Sequence, residues 1–182
     1  MAMPEGDTIH HAAARIRPIL QGHVPDELHT PHPRFGRDRW AERLAGRAVR
    51  SVDAHGKHLF LRDTARVLRL LRDDDQTRPV GDALLDQRSV AGIGNLWKCE
   101  ACWEAQVDPW RTTGATSDAQ LLALLAAVRP RMQASAAHGT DSRDNRVYGR
   151  AGRACRRCGA LIEVRGQGDG NRPTYWCPGC QR

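Results

Sequence analysis

Four cysteines near the end of this 182-residue sequence restrict its folding more than any other feature. They stand as two C-x2-C pairs, Cys155 with Cys158 and Cys177 with Cys180, eighteen residues apart. A two-residue turn, Arg156-Arg157 in one pair and Pro178-Gly179 in the other, lets two sulfurs converge on one ion, and two such turns complete a tetrahedral tetrathiolate. The pattern predicts a zinc ribbon with one structural Zn2+, in which residues 161–165 and 173–176 are hairpin strands turning around residues 166–171. Disulfides would need an oxidising compartment, and the polar, acidic start MAMPEGDTIHH carries no basic-then-apolar secretion signal. A closed four-cysteine site leaves no open position for catalysis, so the ion is expected to contribute about 10–16 kcal/mol to folding and nothing to chemistry. Cys99 and Cys102 form a third C-x2-C, within a helical stretch and without a second pair, and are read as small core residues.

Charge points to a partner. The net charge is +7, and between Arg143 and Arg182 nine arginines face only Asp144, Glu163 and Asp169. Only two of the 28 basic side chains are lysines, Lys57 and Lys98. A concentrated positive pole built from guanidinium forks suits a polyanion. These arginines alternate with cysteines, Tyr148, Tyr175 and Trp176, which is not the composition of a solvated tail. With 40% hydrophobic and 27% charged residues the chain can bury a core, and no apolar run reaches the roughly 18 residues of a membrane span. A soluble cytoplasmic protein with no membrane contact is expected.

Periodicity gives the elements. Residues 8–20 place Ile9, Ala13, Ile16 and Leu20 on one helical face, with Pro18 kinking or ending the helix. Residues 23–39 contain Pro25, Pro31, Pro33 and Gly36 and read as loop with a short edge strand. Residues 48–52 and 57–61 look like two strands joined by a turn at 54–56. Residues 65–71 read as a helix, and 73–77 as a polar boundary. Helices are expected over 79–86 and 95–105, separated by Val90-Ala91-Gly92-Ile93-Gly94. Ser117 with Gln120 makes a capping box that opens a long helix stopping at Gly139. The class is α+β: a small N-terminal part with strands, a central helical part and a terminal metal module, with no internal repeat.

Four segments in order carry a resemblance. They are Pro4-Glu5-Gly6-Asp7-Thr8, Gly56-Lys57-His58-Leu59, the stretch Leu84-Leu85-Asp86-Gln87-Arg88-Ser89-Val90-Ala91-Gly92-Ile93-Gly94-Asn95, and the ribbon ending Asn171-Arg172-Pro173-Thr174-Tyr175-Trp176-Cys177-Pro178-Gly179-Cys180-Gln181. Together they resemble the bacterial formamidopyrimidine-DNA glycosylase/endonuclease VIII family of base-excision repair enzymes, the PEGDT start being similar to its endonuclease VIII branch. The resemblance implies an N-terminal catalytic β-sandwich domain with flanking helices over 1–64, partly absent from this chain, a helix–two-turn–helix DNA-binding domain over 65–146 and a zinc hairpin over 147–182. It implies a bifunctional DNA glycosylase/AP lyase that removes oxidised bases, pyrimidines above all, from damaged double-stranded DNA, as a monomer and without a small-molecule cofactor. Pro4 would be the amine nucleophile at C1′, Glu5 would move protons at the opening sugar, and Lys57 would aid base departure and contact phosphate. Asn95, at a helix start after two glycine turns, would seat one phosphate, and Arg172 would clamp the phosphates flanking the lesion. Cys155, Cys158, Cys177 and Cys180 would hold the zinc.

Two departures shape the expectations. Met1-Ala2 precede Met3-Pro4, so Pro4 has a free amine only if translation begins at Met3, which is expected. Residues 61–64 run directly into a helix where the family has several more strands. The missing strands are expected to be an unseen segment, because a deletion would expose sheet edges and half a core. Residues 138–142 likewise abbreviate a longer loop. A blocked Pro4 or a missing sandwich would instead leave a catalytically inactive zinc-containing DNA-binding protein. A zinc-ribbon module of an RNA-handling assembly would account for the cysteines and arginines, but not for Pro4, Glu5 or Lys57.

Overall fold

The computed structural model describes residues 6–29, 37–54, 64–90, 92–139 and 143–182. Pro4, Glu5 and Lys57, the strand expected over 57–61 and most of its turn lie outside them. Six helices and one hairpin are built from the described residues: α1 Gly6–Leu20, α2 Trp40–Leu44, α3 Thr64–Asp73, α4 Val80–Leu85, α5 Asn95–Glu104, α6 Asp118–His138, β1 Glu163–Gln167 and β2 Arg172–Trp176.

The core lies between α3, α4, α5 and α6. Val67 and Leu71 of α3, Val80 and Leu84 of α4, Leu96 and Trp97 of α5, and Leu121, Leu124, Leu125, Val128 and Met132 of α6 form one buried cluster. The i, i+3, i+4 spacing of the α6 leucines explains the single stripe this helix turns inward. Its start is fixed by the expected capping box, in which Ser117 Oγ accepts from the Gln120 backbone N–H and the Gln120 side chain accepts from the Ser117 backbone N–H. Arg72, at the end of α3, donates to Asp118 Oδ1 (2.7 Å) and to the carbonyls of Thr113 (2.7 Å) and Thr116 (2.6 Å), pinning that start to its neighbour. Between α4 and α5 the two turns are stitched by Gln87, which donates to Ile93 O (2.9 Å) and accepts from Gly92 N–H (3.0 Å).

The ribbon hairpin is antiparallel, with Glu163 opposite Trp176, Arg165 opposite Thr174 and Gln167 opposite Arg172. Its first strand starts two residues later than expected, because Leu161 pairs instead with Ala154 in an isolated bridge. A second buried cluster, Cys99, Trp103, Val147, Cys155, Ile162 and Cys177, sits beneath it. The hairpin tip meets α4 closely: a Cβ on Gly81 would stand 2.6 Å from the Gln167 side chain, and one on Gly168, whose φ is +67°, would stand 2.6 Å from Asp82 Oδ1.

The N-terminal part differs from expectation. Helix α1 runs through Pro18 rather than ending there, and of its expected apolar face only Ala13 is buried while Ile16 is exposed. Residues 48–52 do not form a strand; Val49 makes a lone parallel bridge with Gln21, and Arg17 donates to Val52 O. Residues 23–29 carry no edge strand either. Thr64 is the first described residue of α3, and residues 55–63 ahead of it, where the sandwich strands are expected to be interrupted, lie outside the described residues. Among the described residues segment 48–52 joins no ladder, and the apolar side chains of Ile19, Trp40 and Leu44 are exposed.

Truncating the core and the surface should separate cleanly. Leu124→Ala is expected to lower unfolding free energy by about 2–5 kcal/mol in a denaturant titration, and Leu161→Ala, at an exposed position, by less than about 0.5 kcal/mol.

Candidate nucleic-acid interface

Helix α5 supplies the platform. Leu96, Trp97, Lys98, Cys99, Glu100, Ala101, Cys102 and Trp103 are all buried, so the helix has no solvent face along these eight positions. Cys99 and Cys102 are core thiols as expected, and burial pushes the Cys102 thiol far up, out of reach of thiolate chemistry. The two buried charges need partners. Glu100 accepts from the backbone N–H groups of Arg146 (2.9 Å), Val147 (3.0 Å) and Tyr148 (3.0 Å) and pairs with Arg131 (2.8 Å). This carboxylate gathers three consecutive amides of the linker leading to the ribbon. Lys98 donates to Thr174 Oγ1 (2.5 Å) and Gln167 Oε1 (3.3 Å) on the inner face of the hairpin. Burial lowers its pKa, and the nearby Cys99, Cys102 and Asp82 offset part of that effect while Arg172 adds to it.

Asn95 bonds the hairpin at the residue next to Arg172. Asn95 is the first residue of α5, preceded by Gly94 with extended backbone, and no side chain caps this helix start. Its Nδ2 donates to Pro173 O (2.9 Å), the carbonyl next to Arg172 in the hairpin. Its Oδ1 is buried with no partner among the described residues. Arg172, half-buried, lines an open pocket of about 340 Å³ with Arg78, Asp82, Asp86 and Asp169. Burial raises the Asp82 pKa, with Lys98 and Arg78 opposing. The bond from Arg88 is the leading cause holding Asp86 well below the usual carboxylate range.

The four ribbon sulfurs lie within 4.8 Å of one another, with Cys155–Cys180 at 3.8 Å and Cys158–Cys177 at 3.4 Å. A tetrahedral ion with metal–sulfur bonds of about 2.3 Å sets its ligands about 3.8 Å apart, so these residues could hold a metal ion. Burial alone would raise the Cys155 thiol, but hydrogen bonds from Trp103 Nε1 (3.3 Å) and the Arg157 backbone N–H (3.4 Å) outweigh it and bring it to about 6, favouring the ligating thiolate.

Comparison with known proteins agrees with this arrangement. The family model described as the formamidopyrimidine-DNA glycosylase H2TH domain matches residues 63–146. A Streptomyces coelicolor protein named as an endonuclease 8 is 42% identical over 264 positions that cover 98% of this chain and 94% of the relative. The chain belongs to the endonuclease 8/formamidopyrimidine-DNA glycosylase family. A Mycolicibacterium smegmatis relative named DNA-(apurinic or apyrimidinic site) lyase Nei2 is 29% identical over 98% of this chain and 99% of its own. A crystal structure of Lactococcus lactis formamidopyrimidine-DNA glycosylase bound to AP-site DNA superimposes with a TM-score of 0.84 at 18% identity, covering 98% of this chain and all of that one, and shows the shared fold. The Streptomyces alignment spans 264 positions against the 182 residues of this chain, so the relative carries positions that have no counterpart here.

Within the family frame the sequence did not single out Asp7, Lys98, Glu100 or Arg143, which carry the buried polar contacts. Lys98 had a signal in being one of two lysines and Asp7 in lying within the PEGDT start; Glu100 and Arg143 had none without the fold.

Breaking one side of the Lys98 contact should cost more than removing both. Thr174→Val leaves a buried ammonium short of an acceptor and is expected to destabilise by about 1–3 kcal/mol, and Lys98→Met/Thr174→Val should recover most of that loss in the same denaturant titration.

Proposed function

We propose that this chain is a zinc-containing DNA glycosylase with AP lyase activity that removes oxidised bases, pyrimidines among them, from damaged duplex DNA in the bacterial cytoplasm. The observation that carries the reading is the Asn95–Pro173 hydrogen bond, which sets the open N-terminus of α5 beside Arg172 in a chain related over nearly its whole length to endonuclease 8 proteins. Backbone amides at a helix start and a guanidinium fork are both phosphate receptors, and spaced along one edge they suit two phosphates of a strand. Lys98, Gln167 and Thr174 hold the hairpin so that Arg172 stays at that edge. Rotating a nucleotide out of the stack costs a few kcal/mol, which such phosphate contacts offset.

The chemistry falls to Pro4, Glu5 and Lys57, which lie outside the described residues. The secondary amine of Pro4, freed by loss of residues 1–3, attacks C1′ as the base leaves with a proton delivered through Lys57. Glu5 shuttles protons at the opening sugar, and the resulting iminium acidifies the 2′ hydrogens so that the 3′ and then the 5′ phosphate are eliminated. Cys155, Cys158, Cys177 and Cys180 hold one Zn2+, whose contribution is to fix the knuckles of the hairpin. No helix among the described residues is long and apolar enough to cross a membrane.

An alignment of 264 positions against a chain of 182 residues favours a second reading, a family member that keeps the phosphate contacts without the chemistry. Sodium borohydride separates the two. Protein beginning at Pro4, verified by mass spectrometry and incubated with an abasic-site duplex, is expected to give a covalent adduct that protein retaining residues 1–3 does not; absence of adduct leaves the binding protein. Chelation should release one zinc per chain, abolish ribbon structure and remove DNA binding, measured by a colorimetric zinc assay alongside a gel-shift titration.

A further inference from the structure

We propose that Asp7 and Arg143 form a buried anchor that positions the segment ahead of α1 for imine formation, an inference that rests on the activity proposed above. Asp7 is fully buried in the first turn of α1. One of its oxygens, Oδ2, accepts from Arg143 Nη2 (2.6 Å) and Nε (3.2 Å), and the other, Oδ1, accepts from the Thr8 backbone N–H (2.9 Å). Arg143 is itself 15% exposed, donates to Ser135 Oγ on α6 (3.0 Å) and to Thr8 Oγ1 (3.2 Å), and lies 5.6 Å from the ring centre of Trp97 on α5. The second guanidinium over that ring, Arg131, is held by Glu100 and does not compete for Asp7. One arginine from the end of the helical domain therefore fixes the start of α1 to α5 and α6 at once.

The anchor acts at short range. Pro4 is three residues before Asp7, and three Cα–Cα steps of about 3.8 Å limit its Cα to about 11 Å from the Cα of Asp7. The ring under Arg143 belongs to the residue two positions after Asn95, so the nucleophile and the phosphate seat are referenced to the same helical turn. Along its length α1 also packs on α6, so the pinned first turn continues a helix already seated on the helical domain. Asp7 and Arg143 touch no reacting atom; they are positioning residues.

Asp7→Asn weakens the pair while keeping its size, and Arg143→Lys keeps the charge while losing the fork. In protein beginning at Pro4, each is expected to slow borohydride trapping on an abasic duplex by about tenfold or more, the scale of loss that a misplacement of about 1 Å can produce. Affinity for a duplex carrying a tetrahydrofuran abasic analogue, set by phosphate contacts, should change by less than about threefold. Hydrogen exchange of the α1 first-turn amides should speed up by about tenfold while α5 stays protected. Trapping that falls only in step with affinity, or first-turn amides that stay protected in either folded variant, overturns the anchor. No adduct from the unsubstituted protein overturns the activity instead, and the exchange measurement still reads the anchor by itself. If Asp7→Asn does not fold, Arg143→Lys carries the test alone.

Discussion

A helix buried on all sides cannot be held by an apolar stripe, and α5 is such a helix. Its two buried charged residues, Lys98 and Glu100, have no route to water, and each must be met by groups whose positions are thereby dictated. Glu100 meets three successive amides of the linker, which fixes where the chain leaves the helical domain. Lys98 meets Thr174 and Gln167, which fixes the hairpin against the same helix. Asn95 at the first turn reaches the hairpin backbone, and Trp97 lies beneath the arginine that grips α1. Linker, hairpin and N-terminal helix are thus all registered to ten residues.

That registration explains the division of labour with the ribbon cysteines. The tetrathiolate closes the knuckles at one end of the hairpin, but nothing in a tetrahedral site sets the hairpin's angle to the rest of the protein. The angle comes from the buried polar contacts at the other end and from the glycines that let the tip approach α4, Gly81 under Gln167 and Gly168 against Asp82. A methyl group at either position would push the tip away, carrying Arg172 with it.

The sequence made the helical domain and the ribbon legible because their signals are local. A capping box at Ser117, glycine turns before Asn95 and paired cysteines each need only a few neighbouring residues, and α4, α5, α6 and the hairpin appear close to where those signals put them. The strand expected over 48–52 failed for the opposite reason. Alternating apolar residues make a strand only when a partner offers a ladder, and among the described residues Val49 finds only a lone bridge to Gln21. The polar contacts of Asp7, Lys98 and Glu100 were illegible for a third reason: their partners lie 136, 69 to 76 and 31 to 48 residues away, and charge in a sequence carries no mark of burial.

Such contacts add less to stability than their short distances suggest, since two charges taken out of water lose hydration comparable to what they gain from each other. What they add is direction. An apolar surface between α5 and the hairpin would tolerate sliding by a fraction of a side chain, because burial is nearly insensitive to small rotations. An ammonium confined between a hydroxyl and an amide oxygen, or a guanidinium fork on a carboxylate, has one satisfied geometry and a steep penalty away from it. A site that holds phosphates at fixed separations depends on that directional constraint, and along α5 the contacts of Asn95, Lys98 and Glu100 supply it to the hairpin and to the linker before it.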